Sequence, residues 1–525
     1  MDCSNLHRWK TFCLPHGFVY TVLIVTSLFL FIFTVNQFHH LKLVSTYSSK
    51  YEFIGFPLPH DDHLVQWTFL HFNDVYEILP LNNKENGGLA RVAHIRKLLK
   101  QENPHTYSIL GGDFLSPSAL STAKVNGTRL NGRQMIATLN ELGLDMTIFG
   151  NHEFDLNEQD LLTRMNESNF SWIATNIISQ NNSLPFGSSI SHKFLYIKSI
   201  RILIIGLTTD RITSDYVRIV NQSSVVPFVR LYLKQFPSDS YDLLVAITHF
   251  SVSIDIELAE KIPQIDLILG GHDHKNVYFV RGMNFTPIYK ADANVFTVYI
   301  LRCVFNLQTK QFQIYPTLSL VNSRIAEDKQ TAQVAEHWFN FGIANFRESG
   351  FEPNEIVSCL PADIHLDGRR ESMHSSPTLL TDVICRSMLK ATELHRTQIV
   401  LFNHGAVRID DILFGIITQY DILRTLPFAN ELLVLLVPAN ILHRVLDKNH
   451  QRFAYIGIDT LDRGKTWFIN GKDLSMSKDN YTIVTIDYLR KTTEFNHRNV
   501  EIIEKMNLTQ TKSLINYLKI IYPPC

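Results

Sequence analysis

Five short apolar runs in the first half of the chain each end on side chains able to hold a metal ion. "LHFND" ends at Asp74, "SILGGD" at Asp113, "VAITH" at His249, and "LILGGHDH" at His272 and His274. "TIFGNHEFD" supplies Asn151, His152 and Asp155. Carboxylate, amide and imidazole donors form an oxygen–nitrogen set suited to zinc, manganese or iron. Glycines precede Asp113, Asn151 and His272, where tight turns would carry the backbone close to an ion. Singly, an aspartate after a strand is more often a turn or cap residue. A lone histidine among 22 is usually a surface or core residue, and His39, His60, His94 and His337 read that way. Five runs in succession, each ending on a donor, point instead to one polar rim.

Such a rim requires strands whose carboxyl ends face the same way, because in open α/β sheets the loops converge there. The runs "WTFLHF", "YSILGG", "MTIFG", "RILIIGL", "DLLVAIT" and "DLILGG" supply the strands. Between them, Leu89, Val92, Ile95 and Leu98-Leu99 mark one amphipathic helix, and Met135, Ile136, Leu139 and Leu142 another. This alternation implies a layered α/β domain over residues 65–322. Residues 323–352 carry a long helical pattern with few β-branched residues and read as a connector. Residues 353–525 alternate again and read as a second α/β domain, in keeping with a chain too long for one core.

Apolar residues make up 45 % of the chain and charged ones 19 %, a globular composition. The 49 basic and 50 acidic residues form no basic block, which argues against a nucleic-acid partner. Between Lys10 and Lys42 no residue is formally charged, and Phe18 to Val35 is nearly all apolar. At 1.5 Å per residue that segment reaches about 27 Å, enough to span a bilayer. Its apolar stretch exceeds that of a cleaved signal peptide and no A-x-A-like site follows, so an uncleaved anchor is favoured over cleavage and secretion. Residues 1–17 then read as a cytoplasmic tail, 18–38 as a transmembrane signal anchor and 39–64 as a stalk. Arg8 and Lys10 place everything after the anchor on the extracellular or lumenal side. Eight N-x-S/T sequons, at Asn126, Asn166, Asn169, Asn181, Asn221, Asn284, Asn480 and Asn507, agree with that side. Cys303, Cys359, Cys385 and Cys525 allow three pairings, and the lack of a C-x-x-C pair argues against a thiolate zinc site.

The segments "FND", "GGDFLSPS", "GNHEFDL", "THF" and "GGHDH", in that order, resemble the calcineurin-like metallophosphoesterases. With "GGLARVAHI", "NGRQMIATLNELGLDMTIFGNHEFD" and the second region, the chain is similar to the 5′-nucleotidase family over residues 65 to 525. The resemblance implies a layered β-sandwich flanked by helices, followed by a substrate-binding α/β domain. It implies two divalent metal ions, zinc favoured over manganese or iron. Asp113 matches the bridging ligand, Asp74 and His274 ligands of the first ion, and Asn151, His249 and His272 ligands of the second. His152 matches the catalytic histidine and Asp155 the carboxylate that orients it. Two cations neutralise an anionic ester that would otherwise repel a nucleophile. The family's first motif is Asp-x-His, with that histidine a ligand, but Tyr76 stands there. Tyr76 is expected either as a phenolate on trivalent iron or, in the preferred reading, as a neutral phenol beside a divalent ion.

In the second region, "LFNHGAVR" resembles the family's Asn-Gly-Gly-Gly-Ile-Arg loop and matches Asn403 and Arg408 as substrate-binding residues, with His404 in place of a glycine. "TLPFAN" matches Phe428 to a base-stacking ring, and Arg370 matches a further substrate arginine. The Gly-Gly-Asp-Gly segment near the second stacking ring is replaced by "TIDYLRKTTEFNHRN", where Tyr488 and Phe495 are both candidates. The expected activity is hydrolysis of phosphate monoesters, nucleoside 5′-monophosphates first among them. The alternatives are a phosphatase or diesterase for nucleotide sugars or sugar phosphates, or a non-catalytic surface binding protein.

Overall fold

A computed structural model describes residues 52–525, apart from 60, 82–83, 126, 183, 213, 238, 450–451 and 462–463. The cytoplasmic tail, the expected transmembrane anchor and the first part of the stalk lie outside the described residues. Among the described residues no helix is long and apolar enough to cross a membrane.

All six apolar runs form strands, and they divide between two sheets. The strands of these two sheets are Leu64–Phe72 (β1), Thr106–Leu110 (β2), Met146–Ile148 (β3), Ser171–Ile173 (β4), His192–Ile197 (β5) and Ile200–Thr208 (β6). They continue with Leu243–His249 (β7), Leu267–Gly270 (β8), Val277–Arg281 (β9), Thr286–Lys290 (β10), Thr297–Asn306 (β11) and Phe312–Leu320 (β12). One sheet has the order β12-β11-β1-β2-β3-β4 and the other β9-β10-β8-β7-β6-β5. In each sheet the central strands are parallel and the flanking hairpins antiparallel. Parallel β1, β2 and β3 in one sheet, and β7 and β8 in the other, therefore end on the same rim. Residues alternate between faces along each strand: Val65, Trp67 and Phe69 of β1 meet Ile202, Ile204, Val245 and Ile247 in a core between the sheets.

The amphipathic patterns fold as the helices Leu89–Glu102 (α1) and Arg133–Leu142 (α2). Met135, Ile136, Leu139 and Leu142 of α2 are buried; in α1 Leu98 is only half-buried, and Leu89, Val92, Ile95 and Leu99 carry the buried face. The expected connector forms Lys329–Glu348 (α3), started by the Asp328 carboxylate accepting from the Thr331 N–H. This helix packs on α1 and α2, with Lys97 paired to Asp328 and Arg133 stacked on Trp338.

The second region has its own core around the strands Ile399–Asn403 (β13), Glu431–Pro438 (β14), Phe453–Ile456 (β15), Asn480–Ile486 (β16) and Glu501–Thr509 (β17), ordered β15-β13-β16-β14-β17. A disulfide joins Cys359 to Cys525, while Cys303 and Cys385 are free and buried. Residues 62–525 form one compact unit, so side chains of the two cores meet directly.

Candidate functional site

The rim strands deliver their donors in strained turns. Asp74, Asp113, His272 and His274 all have positive φ, between 53° and 80°. That conformation is uncommon for residues with a Cβ and persists only when the surroundings hold it. Gly150 is required by contact: a Cβ there would lie 2.0 Å from Asp113 Oδ1.

Two groups of donors result, each with its ligand atoms within 4.8 Å of one another: Asp74, Asp113 and His274, and Asp113, His249 and His272. Asp113 belongs to both. Its Oδ2 lies 3.1 Å from His249 Nε2, and its Oδ1 accepts the His152 backbone N–H at 2.8 Å. Asp74 Oδ1 lies 3.3 Å from His274 Nε2. Asp74 Oδ1, Asn151 Oδ1 and His249 Nε2 are buried without a hydrogen bond. Buried polar atoms are rarely left unsatisfied. These three stand where divalent ions would be held, so the donor set fits two such ions sharing one carboxylate.

Neighbours fix which histidine nitrogen faces the centre. His249 Nδ1 donates to the Gly111 carbonyl at 2.7 Å, which leaves Nε2 for a ligand. His274 Nδ1 lies 2.6 Å from Asp410 Oδ2, so its Nε2 also points inward. Burial disfavours charge on both rings, but Asp113 and Asp74 outweigh it at His249, pushing it up to about 9, and Asp74 with Asp410 pushes His274 up to about 10. An ion bound there would have to displace any proton that these carboxylates favour on the two rings. At His272 burial, joined by His249 and Arg370, acts the other way and keeps the ring neutral.

His152 stands beside these groups. Its Nδ1 lies 2.8 Å from Asp155 Oδ2, which also accepts from the Ser116 hydroxyl. Its Nε2 lies 3.1 Å from Arg408 Nη1. A guanidinium can only donate, so Nε2 is the acceptor and the proton sits on Nδ1. The catalytic pair expected from sequence and an arginine from the second region therefore meet at one ring.

Tyr76 is buried, with its hydroxyl 3.1 Å from His274 Nε2 and 3.4 Å from Asp113 Oδ2. Burial, joined by the Asp113 carboxylate, raises the phenol well above its ordinary value. This is the environment of a neutral phenol.

Three residues without an expected role also shape the site. The buried Glu153 carboxylate accepts four backbone N–H groups, from Asp113, Phe114, Leu115 and Gly150, at 2.6–3.1 Å. It thereby ties the Asp113 loop to the Asn151 loop. Lys290, fully buried, donates to the Phe250 and Gly271 carbonyls at 2.6 and 2.9 Å and pairs with Asp255 and Asp273 at 2.7 and 2.6 Å. It joins the turn after His249 to the turn before His272. Asp410, at φ 43°, braces His274 from the second region. Glu153 and Asp410 lie inside segments whose neighbours carry the motifs, but no spacing marks them. Lys290 has no sequence signal at all.

Of the residues expected to bind substrate, Asn403, Arg370 and Arg408 line the same cavity of about 480 Å³ as Asn151, His152, His272 and His274. Phe428 does not: its ring is covered by the Arg408 guanidinium, 5.4 Å from the centroid. Phe495 is buried in the second core and Tyr488 is exposed, and neither lines the cavity.

The calcineurin-like phosphoesterase family matches residues 68–276, and the 5′-nucleotidase C-terminal domain matches residues 361–497. The chain therefore joins a calcineurin-like phosphoesterase domain to a 5′-nucleotidase C-terminal domain. It is 21 % identical to the 5′-nucleotidase of Bos taurus over 433 residues, covering 74 % of this chain and 72 % of the relative. It is 23 % identical to Protein 5NUC of Lutzomyia longipalpis, covering 70 % and 68 %. The fold is shared with a 5′-nucleotidase precursor from Thermus thermophilus, with TM-score 0.72, 17 % identity and coverage of 87 % and 97 %. It is also shared with the sulfate thiohydrolase SoxB of Thermus thermophilus, with TM-score 0.67, 14 % identity and coverage of 89 % and 96 %. The protein is a metal-dependent phosphoesterase.

Proposed function

We propose that the chain hydrolyses phosphate monoesters with two divalent ions, nucleoside 5′-monophosphates first among them. The observation that carries this reading is Asp113, shared by two donor groups while its carboxylate accepts the His152 backbone N–H. Asp74 and His274 would hold one ion with Asp113, and Asn151, His249 and His272 the other; zinc is favoured. Bound there, the ions would neutralise the ester and acidify a water molecule. The chain's own contribution begins with Arg408, which leaves His152 for the phosphate oxygens when an ester enters. His152 Nε2 is then free to hold a proton for the leaving alkoxide, while Asp155 keeps the ring in place. Asn403, whose buried Oδ1 lacks a partner, and Arg370 face the remainder of the substrate.

The names of the relatives support a nucleotide. The lack of a free stacking ring in the cavity, among the described residues, favours a second reading, a sugar phosphate or nucleotide sugar. The test is inorganic phosphate release by the purified full-length chain across nucleotides, nucleotide sugars and sugar phosphates, with and without chelator. Release that survives exhaustive chelation, or none from any ester, would sink the proposal.

We further propose that residues 18–38 anchor the chain and that the catalytic region lies on the extracellular or lumenal side. The exposure of all seven described sequon asparagines supports this, as does the Cys359–Cys525 disulfide, a bond of oxidising compartments. Membrane extraction with carbonate and glycosidase digestion test it; a soluble form starting near residue 40 would show cleavage instead.

A further inference from the structure

The cavity holds more positive charge than hydrolysis of one phosphate group uses. Besides Arg408 it is lined by Arg211, Arg370 and Arg452. The backbone N–H of Arg370 is bonded to Asp410, and that of Arg211 to Thr209. Their guanidinium groups, and that of Arg452, make no hydrogen bond or ion pair among the described residues. Nearby carboxylates are engaged elsewhere: Asp410 with His274, Asp155 with His152 and Ser116, and Glu371 with Lys275. The excess is not a by-product of composition, because basic and acidic residues number 49 and 50 over the whole chain. Four arginines face this cavity against one lining carboxylate, Asp410, so a cavity of this make-up gains from an anionic guest.

The scissile phosphate does not need all of them. Two divalent ions held by the donor groups would, with His152 and Arg408, already surround its place. Nor does a base account for the lining: Tyr76 is the one Phe, Tyr or Trp among the lining residues, and it is buried against His274. Arg211 and Arg370 also reach an adjoining cavity of about 800 Å³, whose lining of Asp273, Asp292, Glu371, Asp410 and Asp411 leaves the first cavity as the place for a further anion. They stand where the part of a substrate beyond its scissile phosphate can extend.

We infer that Arg211, Arg370 and Arg452 form a second anion-binding subsite, for phosphate monoesters that carry a further phosphoryl group. The inference rests on the phosphomonoester reading above. Guanidinium groups bind phosphoryl oxygens through paired, charge-assisted hydrogen bonds. A nucleoside bisphosphate or a sugar bisphosphate shares the required chemistry.

The test compares the metal-loaded full chain on two pairs of esters: a nucleoside 5′-monophosphate against the 3′,5′-bisphosphate, and a hexose 6-phosphate against the 1,6-bisphosphate. The bisphosphate of at least one pair should have a KM lower by about tenfold or more, the effect of one or two charge-assisted bonds. In an Arg211→Ala, Arg452→Ala double variant that ratio should fall toward one. Calorimetric binding of pyrophosphate against phosphate to both proteins gives the same comparison without turnover. Tighter pyrophosphate binding that the double variant loses supports the subsite even if no ester is hydrolysed, in which case the hydrolase reading alone fails. Phosphate release with equal KM values in each pair, or a ratio that the double variant leaves intact, overturns the subsite and leaves the hydrolase reading standing.

Discussion

On one side of the cavity, the ends of β1, β2, β3, β7 and β8 hold the ligand donors, four of them at positive φ, in loops braced by Glu153 and Lys290. On the other side, the segment from Asn403 to Asp410 brings Asn403, Arg408 and Asp410 to the same space, and the arginines beside it are mostly unpaired. The first wall tolerates little change, because an ion requires several donors at once and one misplaced loop removes two of them. The second wall needs only charge and shape complementary to the rest of a substrate. Departures from the family pattern fall accordingly: the first wall departs at Tyr76, while the second changes a glycine to His404 and, among the described residues, lacks a free stacking ring.

The largest expected effect comes from Asp113→Ala, which removes the one carboxylate common to both donor groups. Phosphate release should vanish and metal analysis should show both ions lost; a variant retaining two ions would break the comparison at its centre. Next, His152→Ala should lower kcat by roughly 10²-fold or more with metal content unchanged, since it neighbours a ligand without being one. Loss of an ion in this variant would make His152 a ligand.

Asp410→Asn probes whether the second wall also serves the first. It should weaken binding of one ion by about tenfold or more, as losing a carboxylate behind a ligating histidine does, and Asp410→Glu should recover part of it. Equilibrium titration with zinc reads this without turnover; equal affinity would confine Asp410 to the substrate side. Tyr76→His should hold the ion beside His274 more tightly, seen as slower loss to chelator. A strong visible phenolate-to-iron band in the native protein, lost in Tyr76→Phe, would instead make Tyr76 a ligand.

The remaining effect concerns stability and leaves turnover aside. His71 is fully buried, its Nε2 donating to the Gly270 carbonyl at 3.0 Å, and burial lowers its pKa from 6.5 to about 4. A depressed value means that the unfolded chain takes up the proton first. The stabilisation is present above pH 6.5, declines as pH falls from there, and is fully lost below about 4. The difference between native chain and His71→Gln should amount to about 3 kcal/mol across that window. Identical pH profiles of unfolding would show that His71 titrates alike in the folded and the unfolded chain.

Much of the first wall was legible because each ligand follows an apolar run, and a strand that ends on a donor states both the element and its chemistry. Asp74, Asp113, Asn151, His249, His272 and His274 were proposed that way, and the fold brings Asp74, Asp113, His249, His272 and His274 into two donor groups. Glu153, Lys290 and Asp410 were not, because a buried charge is marked by its partners and those lie up to 136 residues away, as Asp410 does from His274. Phe428 shows the converse: its sequence context suggested a free ring, and packing gave its face to Arg408.

By itself the sequence determined the strand and helix periodicities, the set of donors and their order along the chain, because these depend on residues a few positions apart. Only the tertiary structure decided that Asp113 serves two groups, which nitrogen each histidine turns inward, that Cys359 pairs with Cys525, and that four arginines face one cavity. Each of those depends on which distant turns come within hydrogen-bonding or ion-pairing distance, and that is set by how the two sheets and the second core close against one another.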